Sequence, residues 1–149
     1  FGENPSFGSV FKFQDEMHPV NSCFKSDEAL LKFSQDLAPC FQMVIIGAEH
    51  DAVQLCSYAA LTGWEVTIVV NPKEGKSIND FPGATDLIAS SPEAMQLKVD
   101  NQTAIVLMTH SFARDLQYLI ALKDEAPCYF GLLGPAKRRE KLFWTIANN

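Results

Sequence analysis

The strongest hydrophobic pattern in the chain lies between Gln42 and Asn71. Met43 to Ile46 is a short, unbroken apolar run that ends in Gly47. Ala52, Leu55, Cys56, Ala59 and Ala60 then recur at helical spacing, and Gly63 closes that helix. Val66 to Val70 is a second apolar, β-branched run. A strand, a tight turn, a helix and a second strand within about 30 residues is the size of one βαβ unit. Helices cover both faces of such a sheet, which is why its strands do not alternate. Further along, Leu87-Ile88 predicts a brief strand, Ala104 to Met108 a buried one and Tyr129 to Leu133 another. A helix from about Phe112 puts Phe112, Leu116, Leu119 and Ile120 on one face. Pro135 opens a last helix, with Leu142, Phe143 and Ile146 inward.

The intervening segments are polar. Asn71 to Asp80 reads as a surface loop long enough to reach over a ligand, and Phe81-Pro82-Gly83 marks a turn. Ser91 caps a short helix with Pro92 at its first position. Before the strong pattern, Val10 to Phe13 predicts a short edge strand and Glu16 to Ser22 a loop. A helix follows from Ser26, carrying Leu30, Phe33 and Leu37. Alternating strands and helices imply an α/β, Rossmann-like three-layer domain with a mostly parallel sheet and helices on both faces. We place that domain at 41–149, behind an N-terminal strand and helix extension at 1–40. In such a sheet, ligands gather at the carboxyl ends of the strands, where the strand order reverses.

Composition narrows the classes. The 149 residues carry a formal charge of −6, which argues against nucleic acid as a partner. No apolar run approaches the length needed to cross a membrane, and no signal-peptide pattern is visible. The chain starts at Phe1, which suggests a piece of a longer product. Cys23, Cys40, Cys56 and Cys128 show no metal-ligand spacing. Cys56 and Cys128 are expected to be buried thiols in a reducing, cytoplasmic compartment.

Three polar segments leave strong strands directly and should share one rim: Glu49-His50-Asp51, Thr109-His110-Ser111, and Gly134-Pro135 leading to Lys137-Arg138-Arg139. The first stands where a dinucleotide fingerprint would carry G-x-G-x-x-G. Here Gly47, Ala48, Glu49, His50, Asp51 and Ala52 keep the first glycine and lose the others. Glu49 puts bulk and negative charge where a pyrophosphate should approach bare backbone. Val70 and Asn71 stand where an acid should hold a ribose hydroxyl. Both changes argue against NAD(P). His50, His110 and Asp51 make a weak metal signal; the simpler role for His110 is a helix-start residue bonded to a neighbouring loop. Thr109 or Ser111 can serve as that helix's cap. Ser111, His110 and Asp115 lack the nucleophile elbow of a hydrolase. The third segment is more suggestive. Lys137, Arg138 and Arg139 crowd the positive end of a helix, and a bound anion, a partner carboxylate or Glu140 would relieve them.

GAEHDA, LTGWEVTIV, FPGATD, TAIVLMTHSFARD and YFGLLGPAKRRE occur in that order. Over about residues 41–143 the chain resembles the C-terminal Rossmann-like domain of the xanthine dehydrogenase accessory proteins, the XdhC/CoxI family. Met108 to Asp115 and Gly131 to Glu140 carry most of the likeness. The resemblance implies a chaperone for molybdenum hydroxylase maturation that binds molybdenum cofactor (molybdopterin) without turnover of its own. It implies as partners the molybdenum hydroxylase apo-enzyme and a cofactor sulfurase, and a homodimer as the assembly. The matching candidate cofactor-binding positions are Gly47, Ala48, His50 and Asp51; Thr109, His110 and Asp115; and Gly131, Gly134, Lys137, Arg138 and Arg139. Family members carry glycine at the place of Glu49 and an acid at that of Val70. The alternatives are an NAD(P)-dependent oxidoreductase with a degenerate fingerprint and a protein-docking scaffold.

Overall fold

The computed structural model describes residues 10–13, 16–19 and 40–148. The chain divides into two compact units, Phe1–Cys40 and Phe41–Asn149. In the first, β1 (Val10–Phe13) pairs antiparallel with β2 (Glu16–Pro19). The second strand corrects the expectation of a loop from Glu16. Pro19 closes it, at a strand end where a missing N–H is tolerated. The helix expected from Ser26 lies outside the described residues.

The second unit runs β3 (Gln42–Ile46), α1 (His50–Leu61), β4 (Glu65–Val70), β5 (Asp86–Ala89), β6 (Thr103–Leu107), α2 (Phe112–Ala121), β7 (Tyr129–Leu132) and α3 (Ala136–Ala147). Its sheet order is β5-β4-β3-β6-β7, and every pair is parallel. The chain steps outward from β3 to β5, then returns to the other side of β3. The order therefore reverses between β3 and β6, which fixes where a ligand crevice should open. Strand ends are level there: Ile46 is opposite Val69 and Leu107. The ladder also runs one residue past the strands. Gly47 N–H donates to Val69 O at 3.0 Å, Met108 N–H to Ile46 O at 2.9 Å, and Leu133 N–H to Leu107 O at 2.9 Å.

The two faces of the sheet are two cores. Ile45, Val66, Ile68 and Val70 meet Ala52, Cys56 and Ala59 of α1. Val44, Ile46, Val69, Ile105 and Leu107 meet Tyr118 of α2 and Leu122 just after it. The small residues of α1 let that helix sit close to the strands, and the bare Gly83 of the Phe81–Gly83 turn extends the contact. A β-carbon at Gly83 would stand 2.5 Å from the Ala60 β-carbon. Burial also pushes the Cys56 thiol pKa up.

Several expectations fall to the tertiary context. Asp115 and Tyr118, not Ile120, are the fully buried residues of α2. Asp115 turns inward to meet Thr109 and Arg138, which rotates Ile120 toward solvent. In α3, Leu142 is buried and Ile146 half-buried as expected, but Phe143 is 56% exposed. Cys128 is exposed, because it leads into β7 at the edge of the sheet. The Asn71–Asp80 loop holds two short 3₁₀ turns, Pro72–Glu74 and Ile78–Asp80.

Candidate functional site

Gly47 sits at the reversal point with φ 153°, and a β-carbon there would lie 2.6 Å from the Met108 carbonyl oxygen. The glycine is thus demanded by the close passage of β6, whatever the turn binds. Ala48 is buried in the α1 core, so its side chain serves packing. Glu49 is the N-cap of α1 in extended conformation, without a side-chain cap hydrogen bond, and is exposed, as is His50. Asp51 lies in the first turn of α1. Glu49 and Asp51 therefore put negative charge at the positive end of the α1 dipole, where a phosphate would otherwise rest.

The second segment crosses to the first. His110 has φ 58°, the left-handed region, and among the described residues it is the non-glycine residue with positive φ. Its Nε2 lies 2.6 Å from Asp51 Oδ2, with the two side chains 49% and 38% exposed. The ring thus reaches α1, where a loop partner was expected. Thr109 is buried; its hydroxyl donates to Asp115 Oδ1 at 2.5 Å and accepts from Ser111 N–H at 3.3 Å. Ser111 is the N-cap of α2 by position but makes no side-chain cap bond.

The third segment joins the second through Asp115. Arg138 Nη2 donates to Asp115 Oδ2, and the carboxylate is fully buried. Two oxygens with two donors make this burial tolerable, since an unpaired buried carboxylate is costly. Gly134 makes the reach possible: its φ is 134°, and a β-carbon there would press on the Arg138 stem at 3.3 Å. Arg138 Nε is buried and has no hydrogen-bond partner among the described residues. Lys137 and Arg139 flank it and are exposed. Gly131 is placed differently from the other candidates. It lies inside β7 opposite Val106, under the Tyr129 ring, where it serves strand packing.

Two residues were missed from sequence. A narrow cleft of about 10 Å³ at the reversal point is lined by Gly47, Val69, Asn71, Glu74, Thr109, Arg114 and Tyr118. Glu74 comes from the first 3₁₀ turn, and Arg114 from the first turn of α2; their side chains pair directly. Glu74 also accepts from Asn71 N–H at 3.3 Å, while Asn71 Oδ1 accepts from Lys73 N–H at 3.0 Å. This reciprocal capping brings the Glu74 carboxylate back to the end of β4, further along the chain than the Val70–Asn71 position the fingerprint asks for. Asn71-Pro72-Lys73-Glu74 was the available signal: a capping residue followed three positions on by an acid. At the floor of the cleft, Tyr118 donates to Ser90 O at 3.4 Å. Burial first, then the Glu74 charge, push its phenol pKa up.

Taken together, the rim is acidic on the α1 side and basic on the α2–α3 side. Among the described residues no group of three or more His, Cys, Asp or Glu side chains could hold a metal ion, and no helix is long and apolar enough to cross a membrane. A parallel sheet in this order, with its strand order reversing between β3 and β6, defines the class of Rossmann-like domains. Residues 43–149 match the XdhC Rossmann domain, and the chain belongs to that family. It is 30% identical over 118 residues to a probable xanthine dehydrogenase subunit from Bacillus subtilis, covering 78% of this chain and 36% of that protein. It is 29% identical over 102 residues to the molybdenum cofactor insertion chaperone PaoD from Escherichia coli, covering 68% of this chain and 26% of the relative. The chain thus spans about a third or less of the length of these relatives. Its fold is similar to that of a solved xanthine dehydrogenase from Bacillus halodurans, with a TM-score of 0.65 and 24% identity over 72% of this chain and 34% of the other.

Proposed function

We propose that this chain serves the maturation of molybdenum hydroxylases by holding molybdenum cofactor through its phosphate and passing it to the apo-enzyme. One observation carries the proposal: basic groups gather on the α2–α3 side of the rim, with Arg138 Nε beside Gly134 buried and without a hydrogen-bond partner among the described residues. That donor set suits an anionic pterin phosphate, and Arg139 and Lys137 extend it toward solvent. The name of the Escherichia coli relative, a cofactor insertion chaperone, supports the same reading. The protein would hold the organic part of the cofactor by charge and hydrogen bonding, and the cofactor would bring its metal with it. No turnover by this chain is required. By the same reading cofactor sulfurase is the upstream partner, the compartment is cytoplasmic, and a homodimer is the expected assembly. Glu49, exposed at the N-cap of α1, disfavours the NAD(P) alternative.

The test is stoichiometric capture. The protein is incubated with molybdenum cofactor, desalted, and assayed for oxidised pterin fluorescence, with NAD(P)H as a parallel ligand. Pterin is expected in the protein fraction, at a level that falls in the K137E/R139E double variant. Equal retention by that variant would remove the α3 cations from the site. No retention by the unaltered protein would end the proposal.

A further inference from the structure

A roomier groove, of about 270 Å³, opens where the chain leaves β4 and β5. Pro72 and Pro92 stand in its walls beside Asn71 and Ser91, and Lys73, Glu93 and Gln117 complete the lining. Both walls are anchored. The reciprocal bonds of Asn71 and Glu74 hold the turn that carries Pro72 and Lys73. Pro92 is buried at the start of a further 3₁₀ turn, Pro92–Ala94. Ser90, two residues earlier, is tied to β4 by its N–H on Val70 O at 3.1 Å and to α2 by the Tyr118 hydroxyl on its carbonyl. The groove is formed before any ligand arrives, which lowers the ordering cost of binding.

Its polar groups are unspent. Among the described residues the side chains of Lys73, Ser91, Glu93 and Gln117 make no hydrogen bond or ion pair. A cation and a carboxylate therefore line one groove without meeting. Rigid apolar walls with a few polar groups converging between them are the usual make-up of a small-molecule site.

We infer that this groove takes a flat heteroaromatic ring that presents an N–H beside an amino group, the aminopyrimidinone edge shared by pterin and guanine, and that Glu93 reads that edge. This deepens the function proposed above and rests on it only for a pterin as the source of the ring. The volume suits a bicyclic ring and is small for a whole dinucleotide. Pro72 and Pro92, stiff by their closed rings, offer it apolar faces. The two oxygens of Glu93 accept both donors of the edge in parallel, and a charged acceptor makes such bonds strong. Adenine would instead set a ring lone pair against the carboxylate. Gln117 supplies one donor group and one acceptor, which match the ring's mixture of nitrogens and carbonyl. Lys73 is left for that carbonyl or for a phosphate on the ring's substituent. Binding is non-covalent.

The test pairs one side chain with one amino group. 6-Hydroxymethylpterin carries that group, and 6-hydroxymethyllumazine has an oxygen in its place. Both rings fluoresce, so titration with the protein gives both affinities. The unaltered protein should bind the pterin about tenfold more tightly than the lumazine, and Glu93→Gln should erase the preference by weakening the pterin alone. Glu93 is exposed, so the variant should keep its fold, which thermal unfolding checks. Guanosine and inosine, which differ by the same amino group, form a second pair. The pattern in the pterin pair ties the groove to a pterin, and the pattern in the nucleoside pair alone ties it to guanine. Equal affinities within both pairs, a preference that survives in E93Q, or no binding of any of the four overturns the inference. The pterin pattern without capture of molybdenum cofactor would sink the chaperone proposal and leave this site standing. Cofactor capture with no pattern in either pair would sink this site alone.

Discussion

At the residue scale, His110 shows how the rim departs from ordinary backbone. A left-handed φ of 58° disfavours any residue with a β-carbon, and glycine adopts it freely. In return, the imidazole spans the reversal point to Asp51. The pair is half-exposed and so contributes about 1 kcal/mol at most. Replacing His110 with alanine keeps the backbone cost and loses the pair; glycine loses the pair and relieves the cost. H110G should therefore be more stable than H110A by about 1 kcal/mol, the reverse of the usual order. Urea unfolding of the two variants checks it, and H110A being the more stable would place this residue outside the left-handed region in solution. The polar identity of the three rim segments was legible in the sequence. The left-handed turn at His110 was not, because a histidine advertises no positive φ.

At the element scale, α2 is oriented by polar bonds as much as by its apolar stripe. A periodicity count puts Leu116, Leu119 and Ile120 on one face and leaves Asp115 out of that stripe. The fold buries Asp115 instead, since Thr109 at the end of β6 and Arg138 from α3 both converge on it. Breaking one side of a buried pair leaves the other charge stranded. D115N should cost about 3 kcal/mol in unfolding free energy by the same measure. Adding Arg138→Met should recover part of that loss, because the double variant strands no charge. Full additivity of the two changes would show that Asp115 and Arg138 are not coupled in solution. The strands were legible because both faces of β3, β4 and β6 are apolar. Which strand forms the edge was not, and this is why Cys128 came out exposed. Nor was Glu74 legible as a substitute acid, since the fingerprint counts positions along the chain and the 3₁₀ turn folds three of them away.

At the scale of the whole molecule, the distribution of charge matters more than its sum. A chain of net charge −6 repels anions at long range, so capture of a phosphate must rest on local cations. Lys137 and Arg139 are exposed and their field is screened by salt within about 8 Å at physiological ionic strength. Cofactor retention should accordingly fall several-fold between low salt and about 0.5 M salt. A retention curve flat in salt would point to uncharged contacts as the main hold.

The four ladder bonds that continue past the strand tips, at Gly47, Ser90, Met108 and Leu133, bear on how the rim moves. Residues beside loops are normally the first to fray. Here the amides bordering the cleft are held by the same network as the centre of the sheet. In native-state hydrogen exchange the Gly47 and Met108 amides should persist nearly as long as those of Ile45 and Ile105, while the Asn71–Asp80 segment exchanges early. Early exchange at Gly47 or Met108 would contradict this. A shelf that holds in this way would leave a visiting molecule with little to reorganise beneath it, so the rates of its arrival and departure would be set by the Asn71–Asp80 loop alongside.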